Sequence, residues 1–439
     1  MKILLIHWYY PPQIGGVETI MKGMAETLAN RGHQVTIYAA KVDEQKEIEY
    51  PGVKIVRDPD FNPLRDQDGK ALNRFKEKIT QELYANDVVL TQNMSIDLAY
   101  NQSKIIYDLA QQLNIHHGDH MHCDNTTAQG VELLNHPWKK FVLGVSNFHR
   151  DNLKKLIKPD SRIPVLTLYN GTDTTEFNPE TAEGKVLKYQ AIEHVINKFK
   201  EMNILNGKDG IAVDSIKKYF KSQGLTNGEK VILCSARLVN PDGKPTYRKG
   251  IDILLKGLGR LLKKYPEDKW KVVLTAPRSY GSTEKEYTER KRLLTAFGDD
   301  LKVLVKNNKV IYFPPGGGFI PIFMLLKAVD IYCQPSKAEP FGLVFIEAMA
   351  MEKITIGADN GAIPEIITHE KTGFLIKDQQ NYEELAELLH RILDFDPQRL
   401  KEIGKAGRQK VISSFSLNSM VDKLEEYIDI YLRPFRNIV

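Results

Sequence analysis

Cysteine is scarce in this 439-residue chain: Cys123, Cys234 and Cys333 are odd in number, far apart and never part of a C-x-x-C pair. This spacing excludes a disulfide framework and a structural zinc of the usual pattern, fits a reducing compartment, and leaves three small core residues. Long apolar runs are missing as well. The opening "MKILLIHWYYPP" carries too few apolar residues before His7 for a signal-peptide core. No stretch approaches the roughly 18 needed for a membrane span, so a cytoplasmic protein is expected. Nor does one charge dominate. Lys and Arg total 61 against 56 acidic residues, a formal net charge of +5 that gives no case for a nucleic-acid footprint. There is no short-period repeat and no low-complexity tract.

What is present is a soluble globular composition, 42% apolar and 27% charged, in a chain long enough for two or three cores. "KILLI", a Pro/Gly loop, the helical pattern "VETIMKGMAETLANRGH" with Gly32 as its stop, and "QVTIYAA" read as β-loop-α-β. "DVVLTQ", "FVLGVS" and "VLTLYN" continue the alternation, so residues 1–180 are expected to form one Rossmann-like, doubly wound domain. A second series runs through "KVILCSARL", "WKVVLTA", "KVIYFPP", "AVDIYCQPS", "ITIGA" and "GFLI". It places a second α/β domain over residues 181–414, with a Lys- and Glu-rich helical insertion at about 183–210. The amphipathic tail, about 415–439, begins at a capping Ser416 and is expected to cross back.

In open parallel sheets ligands bind beyond the carboxyl ends of the strands, so the loops there are where chemistry is sought. "EPFGLVFIEAMAM" follows one such strand. Pro340 suits a loop before a first helical turn, so a helix is expected from about Gly342 to Met351. Glu339 then precedes the helix and Glu347 lies inside it. The backbone NH groups of Phe341, Gly342 and Leu343 offer an anion or hydroxyl site, and two carboxylates beside it suit sugar hydroxyls. A plainer reading is slightly ahead for this stretch taken alone: Glu339 answers the helix dipole and Glu347 is a solvated helix residue. As a general acid and base the pair is poorly spaced. Eight residues of continuous helix separate two side chains by roughly 12 Å along the axis. A retaining hydrolase needs its carboxyl groups about 5 Å apart.

"SARLVNPDGKPTYRKGIDILL" puts Arg237 just past a strand and Lys249 just before a helix. A guanidinium and an ammonium there can stabilise a leaving diphosphate without a metal; two surface charges are the alternative. Gly15 and Gly16 follow the first strand, but without G-x-G-x-x-G there is no dinucleotide fingerprint, and a flexible turn fits them too. "NIHHGDHMHCDN" packs His116, His117, His120 and His122 together. On a strand His116, His120 and His122 share a face, so a structural role and chelation by His120 and His122 with Asp124 both stay open. Ser146 is a cap for "NFHRDNLKKLI". The basic side chains of that helix suit anionic lipid, although a solvated face is the better reading. "FPPGGGF" offers its backbone to a nucleotide base or is a surface loop.

Taken in order, "YYPPQIGGVETIMKGMAETLANRGHQVTI", "LYNGTDTTEFNP", "SARL…RKGIDILL", "PSKAEPFGLVFIEAMA" and "GAIPEIITHEKTGFLI" resemble the nucleotide-sugar-dependent retaining glycosyltransferases of family 4, in the glycogen synthase and sucrose synthase superfamily. The resemblance covers nearly the whole chain. It implies the GT-B fold, an α/β architecture of two facing Rossmann-like domains with the C-terminal helix crossing back, the first domain taking mainly the acceptor and the second mainly the donor. It implies that Glu339 contacts the transferred sugar and Glu347 the donor ribose, that Phe341, Gly342 and Leu343 give main-chain contacts, and that Arg237 and Lys249 bind the diphosphate. It also places Gly15 and Gly16 opposite the donor phosphates. A sugar-contacting histidine at a strand end is implied too, with His122 the choice and His120 the runner-up. The activity implied is retaining, front-face, metal-independent transfer from a nucleotide-diphosphate sugar (UDP- or GDP-sugar) to a carbohydrate, lipid-linked or small-molecule hydroxyl, with no cofactor.

The sequence departs from the family around the donor pocket. "TAPRSYG" replaces a glycine-containing strand end, Glu352 stands where glycine is common, Asn360, Gly361 and Ala362 replace a Ser/Gly pair, and "VNPDGKPTY" lengthens the loop before Lys249. Two rivals remain: a nucleotide-sugar epimerase of the same architecture, which needs no acceptor, and a two-lobed sugar-binding protein, which releases no nucleotide.

Overall fold

A computed structural model describes residues 1–11, 15–41, 49–62, 69–96, 100–123, 127–181, 187–188, 210–211, 213–236, 247–275, 297–313 and 322–432. The chain divides into two units, Met1–Asp173 with Ser414–Val439, and Thr174–Ser413.

The first unit is built on a seven-stranded parallel sheet: β1 (Lys2–Ile6), β2 (Gln34–Ala40), β3 (Val53–Asp58), β4 (Val88–Gln92), β5 (His117–Met121), β6 (Lys139–Gly144) and β7 (Val165–Thr167), in the order β3-β2-β1-β4-β5-β6-β7. Its central strands are apolar on both faces because helices cover both, the pattern expected of a parallel sheet. Leu4, Ile6, Tyr38, Val89, Phe75 and Ile106 lie in one core beneath helices α2 (Gly69–Ala85) and α3 (Tyr100–Gln112). Gly118 in β5 lies so close to Phe141 that an added Cβ would fall 2.0 Å from its ring.

On the same sheet, α1 (Gly16–Asn30) follows β1 and receives the C-terminal helix Leu417–Tyr431. Ser416 caps that helix by accepting from Ser419 N at 3.1 Å. Gly23 lets Leu417 approach α1, and Arg31 pairs with Asp422 at 2.7 Å and Glu425 at 2.6 Å. Thr172 bonds the chain at Phe415 and Leu417, so the tail is joined to the strand-7 side of the unit as well.

The second unit has a small antiparallel pair, β8 (Leu187–Lys188) and β9 (Gly210–Ile211), and a six-stranded parallel sheet: β10 (Lys230–Ser235), β11 (Trp270–Thr275), β12 (Val310–Tyr312), β13 (Ile331–Cys333), β14 (Ile354–Ala358) and β15 (Phe374–Ile376). The order is β12-β11-β10-β13-β14-β15. Both sheets therefore follow the 3-2-1-4-5-6 winding, and each reverses direction between its first and fourth strands. Cys234 and Cys333 are buried in this core, while Cys123 in the first unit is only half-buried, its thiol donating to Asn93 Oδ1 at 3.3 Å. All three are free.

Candidate functional site

The switch points are where a doubly wound sheet opens a crevice beyond its strand ends. In the second unit the crevice lies between β10 and β13. The chain leaving β10 returns through a short 3-10 turn, Tyr247–Lys249, to a helix at Ile251–Lys264, and the chain leaving β13 runs Gln334–Pro335–Ser336 to Glu339.

These two loops are pressed together at Gly250. Its φ is 69°, and an added Cβ would stand 1.9 Å from Pro335 O, so no side chain fits there. Lys337 N donates to Arg248 O at 2.8 Å, which ties the loops side by side. The result is an ion pair between Lys249 Nζ and Glu339 Oε1 at 2.6 Å. Glu339 is almost wholly buried, its side chain 6% exposed against 32% for Lys249. Behind it, Gln334 donates through Nε2 to Ser336 Oγ at 2.9 Å and to Glu339 Oε1 at 3.4 Å, while its Oε1 accepts from Tyr332 OH at 2.7 Å.

A third segment closes over the carboxylate's backbone. Ala362 N donates to Glu339 O at 3.1 Å, and Asn360 Nδ2 to Lys337 O at 2.7 Å. Gly361, with φ 61°, passes so near that a Cβ would lie 2.7 Å from Glu339 O. The Asn-Gly-Ala variation in the sequence thus sits against the backbone of Glu339.

The helix after this loop spans Leu343–Ala350, with Gly342 as its N-cap and no side chain capping it. Glu347 lies on its second turn, half-buried, with no side-chain hydrogen bond or ion pair among the described residues. Burial, with Glu176 adding repulsion, pushes its carboxyl up to about 7. Glu352 just beyond has φ 58°, the left-handed conformation that suits a glycine, so the family's preference there has a backbone cause.

In the first unit the crevice lies between β1 and β4. Gln92, the last residue of β4, is fully buried and organises three histidines. Its backbone O accepts from His7 Nδ1 at 2.7 Å, and its Oε1 lies 3.1 Å from His120 Nδ1 and 3.0 Å from His122 Nε2. The rings of His120 and His122 are 4.2 Å apart. Asn93 holds the backbone of the same segment, its Oδ1 accepting from His122 N at 3.1 Å. Burial lowers His120 to about 3 and takes His122 well below the ordinary histidine range, so both rings are neutral.

His116 stands apart from this pair, against Trp138 at 5.7 Å. The expected shared face breaks because β5 starts only at His117 and its register on β6 shifts between His117 and Gly118. Gly15 is the N-cap of α1 and Gly16 its first residue; the Glu18 carboxylate folds back against Gly15 and comes within 3.8 Å of His7 Nε2.

The structure therefore brings Lys249 and Glu339 together, and separately His120 with His122. Phe341, Gly342, Leu343 and Glu347 belong to the same loop and helix as Glu339. Arg237, Asp124, the glycine loop at 316–318 and most of the 183–210 insertion lie outside the described residues. Sequence reasoning missed Gln92, Gln334, Glu18 and His7. The signal for the two glutamines was available: each is a large polar residue closing an apolar central strand, "DVVLTQ" and "DIYCQ". Ser146 caps its helix as expected, accepting from His149 N at 2.9 Å, although the helix ends at Lys154.

Among the described residues no helix is long and apolar enough to cross a membrane, and no group of three His, Cys, Asp or Glu is placed to hold a metal.

Residues 14–176 match the family model of Glycosyltransferase Family 4, and residues 215–410 that of Glycosyl transferases group 1. The chain is 25% identical over 393 residues to an uncharacterized glycosyltransferase of Methanocaldococcus jannaschii, spanning 86% of this chain and 85% of that one. It is 30% identical over 211 residues to a GDP-mannose-dependent monoacylated alpha-(1-6)-phosphatidylinositol monomannoside mannosyltransferase of Corynebacterium glutamicum, spanning 46% of this chain and 48% of the relative. Among solved structures, a glycosyltransferase of Rickettsia africae superposes with a TM-score of 0.71 at 21% identity over 99% of both chains. Anabaena HepE in complex with UDP and glucose gives 0.65 at 18% identity, over 98% of this chain and 99% of that one. With glycosyltransferase models matching both halves of the chain and the GT-B fold shared along nearly all of it, the chain belongs to the family 4 type of glycosyltransferase.

Proposed function

We propose that the enzyme moves a sugar from a nucleotide-diphosphate sugar to an acceptor hydroxyl with retention of configuration, by front-face transfer and without a metal. The observation that carries this reading is the Lys249–Glu339 pair at the β10/β13 switch point. In the free protein each neutralises the other. A donor diphosphate offers Lys249, together with Arg237, a stronger anion, and frees the Glu339 carboxylate for the hydroxyls of the transferred sugar. Glu347 takes the ribose hydroxyls, and the main chain of Phe341, Gly342 and Leu343 lies along the same loop. His122 offers the sugar a neutral ring, and Gly15 and Gly16 adjoin the phosphates. Most of the residues proposed for the donor belong to 181–414; residues 1–180 take mainly the acceptor.

In this reaction the bond from the anomeric carbon to the phosphate oxygen breaks on the same face on which the acceptor oxygen bonds, and the acceptor proton passes to the departing phosphate oxygen. Cationic side chains stabilise the charge that develops there. The nucleotide-sugar reading is supported by the UDP complex of HepE, and a carbohydrate or lipid-linked acceptor by the name of the Corynebacterium relative.

The test is a thermal-shift panel of UDP, GDP and ADP and their sugars, followed by transfer assays with the donor that binds. A ligand at a hundredfold excess over its dissociation constant stabilises the protein by about 2.7 kcal/mol. NMR of the product anomer and assay in EDTA complete it. An inverted anomer refutes retention; activity lost in EDTA and restored by a divalent ion refutes the metal-free reading.

A further inference from the structure

We infer that Gln92 is a positioning residue that fixes the ring tautomer of His122, so that His122 meets the substrate through Nδ1 as a hydrogen-bond acceptor. The inference rests on the proposed sugar contact of His122 for its consequence, but not for its geometry.

The two ends of the Gln92 side chain face chemically different neighbours. Its Nε2 lies 3.9 Å from Met24 Sδ, and a thioether accepts but cannot donate. The amide NH2 therefore belongs on that side, which leaves Oε1 facing His120 Nδ1 and His122 Nε2. A carbonyl oxygen only accepts. Both histidine nitrogens must then carry their protons, making His120 the Nδ1–H form and His122 the Nε2–H form.

The opposite orientation of the amide would let His120 Nε2 donate toward Leu168, but it would set Gln92 Oε1 against Met24 Sδ, acceptor against acceptor. Gln92 and His120 are fully buried, so water does not replace these bonds. The groups facing His122 are themselves histidines, His7, His120 and His149, and with burial they hold it neutral. His7 Nδ1 is engaged with the Gln92 carbonyl, and His149 bonds Val145 N and Cys123 O, so none of these contacts donates a proton to His122. Its Nδ1 has no hydrogen-bond partner among the described residues.

A neutral Nε2–H imidazole presents a lone pair at Nδ1. A sugar hydroxyl can donate to it, whereas a ligand group that only accepts, such as a phosphate oxygen, is repelled. The same two protons oppose chelation of a metal between the facing nitrogens of His120 and His122.

The test uses the whole protein with histidine ring nitrogens labelled, read by long-range nitrogen–proton correlation at neutral pH; the His122 signals are identified by their loss in His122→Gln. The expected result is the Nε2–H pattern in the wild type, and a mixture of tautomers in Gln92→Leu with kcat lowered about tenfold or more and donor KM little changed. Gln92→Glu, which keeps an acceptor oxygen, should restore the Nε2–H bond and, by adding charge, convert His122 to the imidazolium. A wild-type His122 found as Nδ1–H or as imidazolium overturns the inference without any variant. So does Gln92→Leu with unchanged tautomer and kcat. Should His122→Gln transfer sugar normally while the wild-type tautomer is as stated, the sugar contact fails and the tautomer assignment stands.

Discussion

Glu347 permits a prediction with a worked sign. Its carboxyl ordinarily titrates at 4.5 and is pushed up to about 7 by burial. The folded protein therefore binds this proton more tightly than the unfolded chain, and the stability that protonation gives is complete below about pH 4.5 and lost by about pH 7. At about 1.4 kcal/mol per pH unit, the charged form costs the native state at most about 3.5 kcal/mol above that window. Glu347→Gln removes the titration, so the variant should melt higher than the wild type at pH 8 and lose that advantage at pH 4.5. Nucleotide binding should reverse the balance. Ribose hydroxyls donate to the ionised carboxylate and draw its pKa back down, so binding expels a proton. Near pH 6 the wild type should release up to about 0.8 proton more than Glu347→Gln, if the bound value falls to about 5. Calorimetry of binding of whichever nucleoside diphosphate the thermal-shift panel selects, in buffers of different ionisation enthalpy, reads this directly. The diphosphate's own titration is common to both proteins and cancels in the comparison. Equal proton release by the two proteins refutes the ribose contact, and equal pH dependence of their melting refutes the buried carboxyl.

We also predict that Lys249→Ala and Glu339→Ala each lower transfer by about a hundredfold or more. Their stabilities should differ, because Lys249 without its partner can return to water while Glu339 at 6% exposure cannot; thermal melts showing Lys249→Ala no less stable than Glu339→Ala would contradict this. Gly250→Ala places a methyl 1.9 Å from Pro335 O and should separate the two loops, losing transfer and melting temperature together; a variant active at the wild-type level refutes the close approach. Lys139 and Asp119 form an ion pair at 3.1 Å with both side chains wholly buried, so Lys139→Met should cost about 3–5 kcal/mol in denaturant unfolding. Adding Asp119→Asn should recover part of that loss.

Local signals were legible in the sequence where the cause is local. Gly32 takes φ 86° just after α1, Ser146 and Ser416 cap the helices they precede, and the helix after Pro340 begins next to Gly342. The alternation of strands and helices likewise carried the α/β class, since a parallel sheet covered on both faces needs apolar runs separated by crossover helices. What could not be read was set by contacts between distant segments. Nothing near Gly361 in sequence tells that it lies on the Glu339 carbonyl, and nothing near Gly250 tells of Pro335. The histidine cluster shows the same limit in miniature. Alternation on a strand was the right rule, but the register shift at His117 and Gly118 separates His116 from His120 and His122. Cys123, expected in a core, is half-buried because it lies two residues past the strand end.

The two glutamines give the two sheets a common logic. Gln92 ends the fourth strand of the first winding and Gln334 follows the fourth strand of the second, so both stand at the switch point where a doubly wound sheet opens. A primary amide suits that place for a physical reason. It is neutral, so it can be buried without the several kcal/mol of desolvation that an ion meets, yet it carries a donor and an acceptor at opposite ends. Gln92 uses its oxygen on two histidines, and Gln334 uses its NH2 on Ser336 and Glu339 while Tyr332 occupies its oxygen. A carboxylate in place of Gln334 would repel Glu339, and one in place of Gln92 would charge the histidines. Because the amide is neutral, it can orient Glu339 in one unit and His122 in the other without adding a charge beside either; Lys249 pairs with the first, and burial keeps the second neutral.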